Sequence, residues 1–185
     1  MVFKMFQVDA FADKLFYGNP AAVVILEEEM DQGLMQSIAM ENNLSETAFV
    51  NINCDPMNIR WFTPVAEVKL CGHATLAAAK VLFETYPEFT ADEILFQSKS
   101  GILRAYQKAA HIFLDFPADW RLECVDKTDA FEAALGQRPI CAFRGKDDYL
   151  VIFDTQSMIE RIQPNFLRLA DFDSRGVVVS AAGDE

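Results

Sequence analysis

Arg60-Trp-Phe-Thr-Pro-Val-Ala-Glu-Val-Lys-Leu-Cys-Gly-His-Ala-Thr-Leu-Ala-Ala-Ala79 is the stretch on which the reading of this chain turns. A strand-like segment runs into Cys71-Gly72-His73 and then directly into a helix-forming run, Ala74 to Phe83. A helix that starts so abruptly leaves its first backbone N–H groups unpaired, aimed at whatever sits above them. Such a terminus suits a carboxylate or a developing oxyanion. A thiol and an imidazole at the junction put chemistry beside it. Upstream, Asn42-Asn43-Leu44-Ser45-Glu46-Thr47-Ala48-Phe49-Val50 sets a carboxylate at the edge of an apolar strand. Together these features point to a small-molecule enzyme that moves protons.

Composition narrows the classes. In 185 residues the apolar fraction is 51% and the charged fraction 24%, enough to bury a real core in one large or two small domains. Net charge is −12, from 28 acidic and 16 basic side chains, which argues against a nucleic-acid partner and against anionic membrane surfaces. An anionic substrate needs a local exception, such as a helix N-terminus. No apolar run is long enough to span a bilayer. The N-terminus reads as a strand rather than a signal peptide, so the cytoplasm is the default. Cys54, Cys71, Cys124 and Cys141 are far apart, with no C-x-x-C pair and only His73 and His111 to assist. Free thiols are expected, and neither a disulfide framework nor a metal site.

The pattern along the chain predicts strands at 4–11, 21–26, 47–52 and 58–62, with turns at Gly18-Asn19-Pro20 and Asp55-Pro56. Helices are predicted at 30–41, where Leu34, Met35, Ile38 and Ala39 share a face, and at 74–86, ended by Pro87. Strands at 93–97, 102–106 and 111–116 read as an antiparallel meander. Phe116-Pro117-Ala118-Asp119 is a hinge, giving an N-terminal domain over 1–116 and a partial second domain over 117–185. The second part shows a helix at 128–135 stopped by Gly136, and strands at 140–143 and 149–153. It then shows a helix opened by Ser157-Met-Ile-Glu160 with capping-box spacing, a continuation at 166–170 after Pro164, and a strand at 176–181. Ala22-Val-Val-Ile-Leu, helix, Thr47-Ala-Phe-Val is echoed by Tyr149-Leu-Val-Ile-Phe, helix, Gly176-Val-Val-Val. This is either an internal duplication or the ordinary likeness of any two strand–helix–strand units. If it is a duplication, the second copy lacks its junction and helix, and the chain is a fragment or a truncated protein.

Glu46 leads the candidate residues. A carboxyl among Leu44, Ala48 and Phe49 is expected to have its pKa raised toward neutrality, suiting a group that takes and gives a proton. The competing reading is a solvated strand-end Glu. Asn42, Asn43, Ser45 and Thr47 favour the functional one, as groups that orient the carboxylate or contact substrate. His73 in the first helical turn is suited to donate to a carbonyl or relay a proton, against a capping or packing role. Cys71 is expected to have a lowered thiol pKa, against a small buried residue closing a strand. Gly72 allows close approach of a ligand. Asp9 and Asn19 are placed to line the cleft, although most turn Asn residues only form turns. His111 reads as structural.

Val8-Asp9-Ala10-Phe11, Phe16 through Val23, Asn43 through Phe49, and Arg60-Trp61-Phe62-Thr63-Pro64 through Cys71-Gly72-His73-Ala74-Thr75 resemble the PhzF family of phenazine-biosynthesis-like proteins. The likeness is specific across roughly the first 116 residues and looser to Arg175. It implies an α+β, diaminopimelate epimerase-like fold: two similar domains, the second incomplete here, each a curved, mainly antiparallel sheet wrapped around a central helix. It implies cofactor-independent isomerase chemistry in a biosynthetic process. In the phenazine enzyme a glutamate shifts a proton between carbons of a dihydro-hydroxyanthranilate. Glu46 matches that glutamate and His73 the histidine of the Gly-His motif, while Cys71-Gly72 resembles the position of one catalytic thiol in epimerase relatives. The family's second signature, an acidic residue and Pro followed by a Thr-Gly-Ser-Ala-type turn, is absent, and family members are longer. Half the cleft is therefore expected to come from elsewhere.

The resulting expectation is a cytoplasmic, PhzF-type isomerase acting on a small carboxylate-bearing metabolite. Its catalytic residues are Glu46 and His73, its substrate-binding residues Asn19, Ser45, Cys71 and Gly72, and it uses no cofactor or metal. The expected assembly is a homodimer or a pairing with a second polypeptide. Two alternatives stay open: a Cys71-based racemase or epimerase, and a non-catalytic domain that binds a metabolite or another subunit.

Overall fold

The structure, a computed structural model, describes residues 2–14, 16–86, 93–119 and 122–184. It contains two compact units, Met1–Pro117 and Ala118–Glu185.

The first unit holds strands β1 (Lys4–Ala10), β2 (Asn19–Leu26), β3 (Glu46–Asn51), β4 (Met57–Phe62), β5 (Glu67–Val68), β6 (Glu93–Ser98), β7 (Gly101–Lys108) and β8 (His111–Asp115). Helices α1 (Gln32–Asn42) and α2 (Gly72–Thr85) complete it. The strands form one sheet in the order β1-β2-β3-β4-β6-β7-β8, with β5 on β4. Pairing is antiparallel except for β2 with β3 and β4 with β6.

The shape follows from α2. Its Ala74, Thr75, Ala77, Ala78, Ala79, Val81 and Leu82 are all buried. A helix apolar nearly all round must be enclosed. It touches β1, β2 and β3 and also β8, so both edges of the sheet reach one helix and the sheet is curled around it. β2 and β3 are apolar on both faces because each face has a partner. Ala21, Val23, Ile25, Ala48 and Val50 meet α2. Val24, Leu26 and Phe49 face outward and are covered by Met35 and Ala39 of α1.

The second unit orders its strands β12-β11-β10-β9, from β9 (Glu123–Val125), β10 (Cys141–Arg144), β11 (Asp148–Ile152) and β12 (Gly176–Ser180). Helix α3 (Thr128–Leu135) contributes Phe131 and Leu135 to a core with Ala142, Tyr149, Val151 and Phe153. It stops at Gly136, whose φ of 75° suits a residue without a Cβ. Two short helices, α4 (Gln156–Glu160) and α5 (Phe166–Leu169), cross from β11 to β12. The two similar segments in the sequence both become strand–helix–strand units with parallel strands, β2–β3 and β11–β12.

Local departures from the sequence reading have physical causes. The turn expected at Gly18-Asn19-Pro20 is only Gly18, because Asn19 already pairs with Ala10 and Pro20 with Asp9. Pairing of β2 with β3 starts one residue later, at Ala21, so proline's missing N–H lies before that ladder begins. A Cβ on Gly18 would meet Ala10 O at 2.6 Å and Asp9 Cβ at 2.8 Å, which makes glycine necessary there. The fourth helix is capped by Thr155, whose hydroxyl accepts from Met158 N at 3.3 Å, and not by Ser157. β5 and β9 are too short to leave a periodic signal. Pro87 lies outside the described residues.

One network fixes the segment that leads into α2. The Arg60 guanidinium donates to both carboxylate oxygens of Glu67, each at 2.8 Å. Lys99 Nζ reaches the same carboxylate at 2.5 Å, and the Glu67 side chain is only 6% exposed. Ser100 Oγ donates to Lys69 O at 2.9 Å. The Arg60 hydrogen bond holds the Glu67 carboxyl below its ordinary range against the opposing effect of burial, and Lys99 adds to the lowering.

Ala78 is fully buried against strands, so Ala78→Leu should cost about 1–3 kcal/mol by overpacking, measured by urea unfolding. A carboxyl with a lowered folded pKa stabilises above its unfolded value of 4.5, and that contribution disappears as pH falls through the folded value. Thermal melts should therefore show wild type and Glu67→Gln far apart at neutral pH and converging in acid; parallel curves would refute the assignment.

Candidate active site

Glu46 is the first residue of β3 and lies opposite Ala21 in the parallel register. The beginnings of β2 and β3 therefore share one end of the sheet. The N-terminus of α2 reaches that same end. Cys71 is its N-cap, in an extended conformation (φ −146°, ψ 115°), and no side-chain capping hydrogen bond closes the turn. The buried Thr75 hydroxyl donates to Cys71 O at 2.6 Å and fixes the first turn from inside. This anchor was not foreseen from sequence, although its i−4 position relative to the junction is a readable signal.

His73 follows at the second helical position. Its Nε2 is 3.4 Å from Glu46 Oε2, with the two side chains 11% and 20% exposed. This is an ion-pair distance without hydrogen-bond alignment, and Nε2 is buried with no hydrogen-bond partner. On the other edge of the ring, Nδ1 is 3.5 Å from Cys71 Sγ. One carboxylate, one imidazole and one thiol thus converge, with donor atoms all within 4.8 Å of one another. The sequence reading set metals aside on cysteine spacing. A donor set contributed by residues from two distant motifs is invisible to spacing.

The thiol overturns one expectation. A helix N-terminus lowers a cysteine's pKa, and the Ala74 and His73 amides do pull in that direction. Burial outweighs them, the Glu46 carboxylate adds to it, and the Cys71 pKa is pushed up to about 12. Cys71 is 7% exposed and behaves as a neutral thiol at physiological pH. Cys54, the other thiol of this unit, lies beyond the far end of β3, where its sulfur accepts from Asn58 Nδ2.

The remaining candidates divide. Gly72 is half-buried, and a Cβ there would meet only Phe116 Cε2 at 3.8 Å, so the protein leaves that face open. Ser45 is exposed immediately before Glu46, and Asn19 is exposed at the start of β2, at the same end of the sheet. The amides upstream are structural. Asn43 caps α1 in the left-handed region (φ 51°), and Asn42 Nδ2 donates to Thr47 Oγ1 at 3.2 Å. Asp9 is half-buried in β1, opposite Pro20. His111 is exposed at the start of β8, with its ring tilted on Phe113.

Among the described residues no helix is long and apolar enough to cross a membrane. An uncharacterised isomerase of Pseudomonas aeruginosa is 45% identical over 183 residues, covering 99% of this chain and 69% of that protein. One from Halalkalibacterium halodurans is 41% identical, covering 98% of this chain and 68% of the relative. The crystal structure of a PhzF-family phenazine biosynthesis protein from Enterococcus faecalis superposes with a TM-score of 0.90 at 41% identity, over 100% of this chain and 70% of that one. The model of the PhzC-PhzF family, described as phenazine biosynthesis-like protein, matches residues 8–185, and the chain belongs to that family.

Proposed function

We propose that this chain carries the proton-transfer site of a cofactor-independent isomerase acting on a small carboxylate-bearing metabolite. The observation that carries the reading is the 3.4 Å approach of Glu46 to His73 at the uncapped start of α2. The relatives named as isomerases support the reaction class.

In this reading the Glu46 carboxylate takes a proton from a carbon next to an unsaturated or carbonyl-activated centre. The C–H electron pair moves into the substrate's π system. Glu46, now protonated, returns the proton to a second carbon, so bonds are exchanged and no electrons are gained or lost. The first-turn N–H groups at Gly72 and His73 face the charge that develops. They are also the local exception that lets an anionic substrate approach a chain of net charge −12. His73 stands beside Glu46 and orients it from within the protein. Ser45, Asn19 and the open face at Gly72 contact the substrate around the reacting carbons. Cys71 packs beneath the site as a neutral thiol, which favours this reading over a thiol-based epimerase.

Glu46→Gln should lower solvent deuterium incorporation into a dihydro-hydroxyanthranilate probe by about 10²–10⁴-fold, read by mass spectrometry of substrate incubated in D2O with the protein. Exchange at the wild-type rate would remove Glu46 from the mechanism. The thiol gives a separate test. Iodoacetamide near neutral pH should alkylate the exposed Cys124 and spare Cys71, as read by peptide mapping. Labelling of Cys71 as fast as Cys124 would restore the thiol-based reading.

A further inference from the structure

We propose that Glu46, Cys71 and His73 form a binding site for a single thiophilic divalent cation, Zn2+ foremost, and that the bound ion switches the proton-transfer site off. Binding follows from the donor set alone. The switching rests on the isomerase reading above.

The donors are one carboxylate oxygen, one thiol sulfur and one imidazole nitrogen, all within 4.8 Å of one another. With Zn–S near 2.3 Å and Zn–N and Zn–O near 2.0–2.1 Å, tetrahedral ligand atoms sit roughly 3.3–3.7 Å apart. The 3.4 Å from His73 Nε2 to Glu46 Oε2 lies in that range, as does the 3.5 Å from His73 Nδ1 to Cys71 Sγ; one ion takes one of these two nitrogens, and the remaining donor closes on it from within 4.8 Å. His73 Nε2 is buried and has no hydrogen-bond partner, so it holds no other bond that an ion must displace. Glu46 has the most exposed side chain of this pair and supplies the route of entry. Sulfur and nitrogen donors select zinc-like ions over Mg2+ and Ca2+, which require oxygen.

On binding, the Cys71 thiol passes its proton to solvent and a sulfur lone pair forms the bond to the ion. The thiolate and the Glu46 carboxylate then balance the two positive charges, with His73 neutral. Among the described residues three protein groups converge, which leaves a fourth position to water or to a substrate carboxylate, as in exchangeable sites. The positive end of α2 opposes any cation, which weakens the site relative to a closed structural one. With its oxygen on the ion, Glu46 no longer accepts a proton from carbon.

The test uses Co2+ as a spectroscopic stand-in on the whole 185-residue chain, freed of metal. A variant with Cys54, Cys124 and Cys141 all changed to Ser leaves Cys71 as the sole thiol. One equivalent of Co2+ should give a near-ultraviolet sulfur-to-cobalt absorption in wild type and in this variant, bleached by Zn2+. Cys71→Ser should abolish the band, and His73→Gln should weaken Zn2+ binding by about tenfold or more. Circular dichroism checks that each variant folds, and the wild-type band stands without them. Absence of the band when Cys71 is the sole thiol, or unchanged Zn2+ affinity in Cys71→Ser, overturns the site. If the band forms but deuterium exchange is undiminished at saturating Zn2+, the switch is overturned and the site stands. Metal binding without any exchange activity in metal-free protein overturns the isomerase reading instead.

Discussion

The structure depends on the enclosure of α2. A helix with alanine at Ala74, Ala77, Ala78 and Ala79 has little side-chain bulk, so it gains stability only if strands approach closely on many sides. A flat sheet covers one side. The sheet therefore curls until β1, β2, β3 and β8 all reach the helix. Once the curl is fixed, so is the helix position along the strands. The start of α2 falls where the parallel pair β2 and β3 begins, and Glu46 is the first residue there. The contact between Glu46 and His73 is thus a consequence of core packing, made between residues on regular elements rather than on loops.

The junction itself needs separate support, since the segment from Thr63 to Leu70 contains only the two-residue strand β5. Arg60, Glu67 and Lys99 supply it with a bidentate ion pair and a second cation on a nearly buried carboxylate. Isolated surface pairs contribute little, but a buried bidentate carboxylate loses much when one partner is removed. The network lies just upstream of Cys71 and sets the direction in which the chain enters α2. Electrostatics here acts on geometry, fixing the segment from which α2 starts.

Much of this was legible in the sequence because apolar pattern and packing agree. The double-sided strands Ala21–Leu26 and Thr47–Asn51, the helix faces of Met35 and Ala39, and the Cys-Gly-His junction all appear as they read. What escaped was set by tertiary contact. Asn42 and Asn43 look like site residues in sequence, yet Asn42 bonds the Thr47 hydroxyl and Asn43 closes a helix through its left-handed backbone. Pro20 reads as a turn but sits harmlessly in a strand whose second neighbour has not yet begun. The convergence of residues 46, 71 and 73 required the curl, which no local pattern encodes.

Cys71 shows how two correct local rules can compete. Its place at a helix start lowers a thiol pKa, and its burial raises it. Amide dipoles of a helix terminus are worth about 0.3–1 kcal/mol at exposed positions and up to about 2 kcal/mol when partly buried. Withdrawing a developing thiolate from water costs several kcal/mol, and a neighbouring carboxylate makes ionisation harder still. Burial wins, and the pKa moves up to about 12. At this junction the fold keeps the sulfur protonated. On the proposed isomerase reading, a sulfur so quieted leaves proton transfer to oxygen rather than to thiol chemistry.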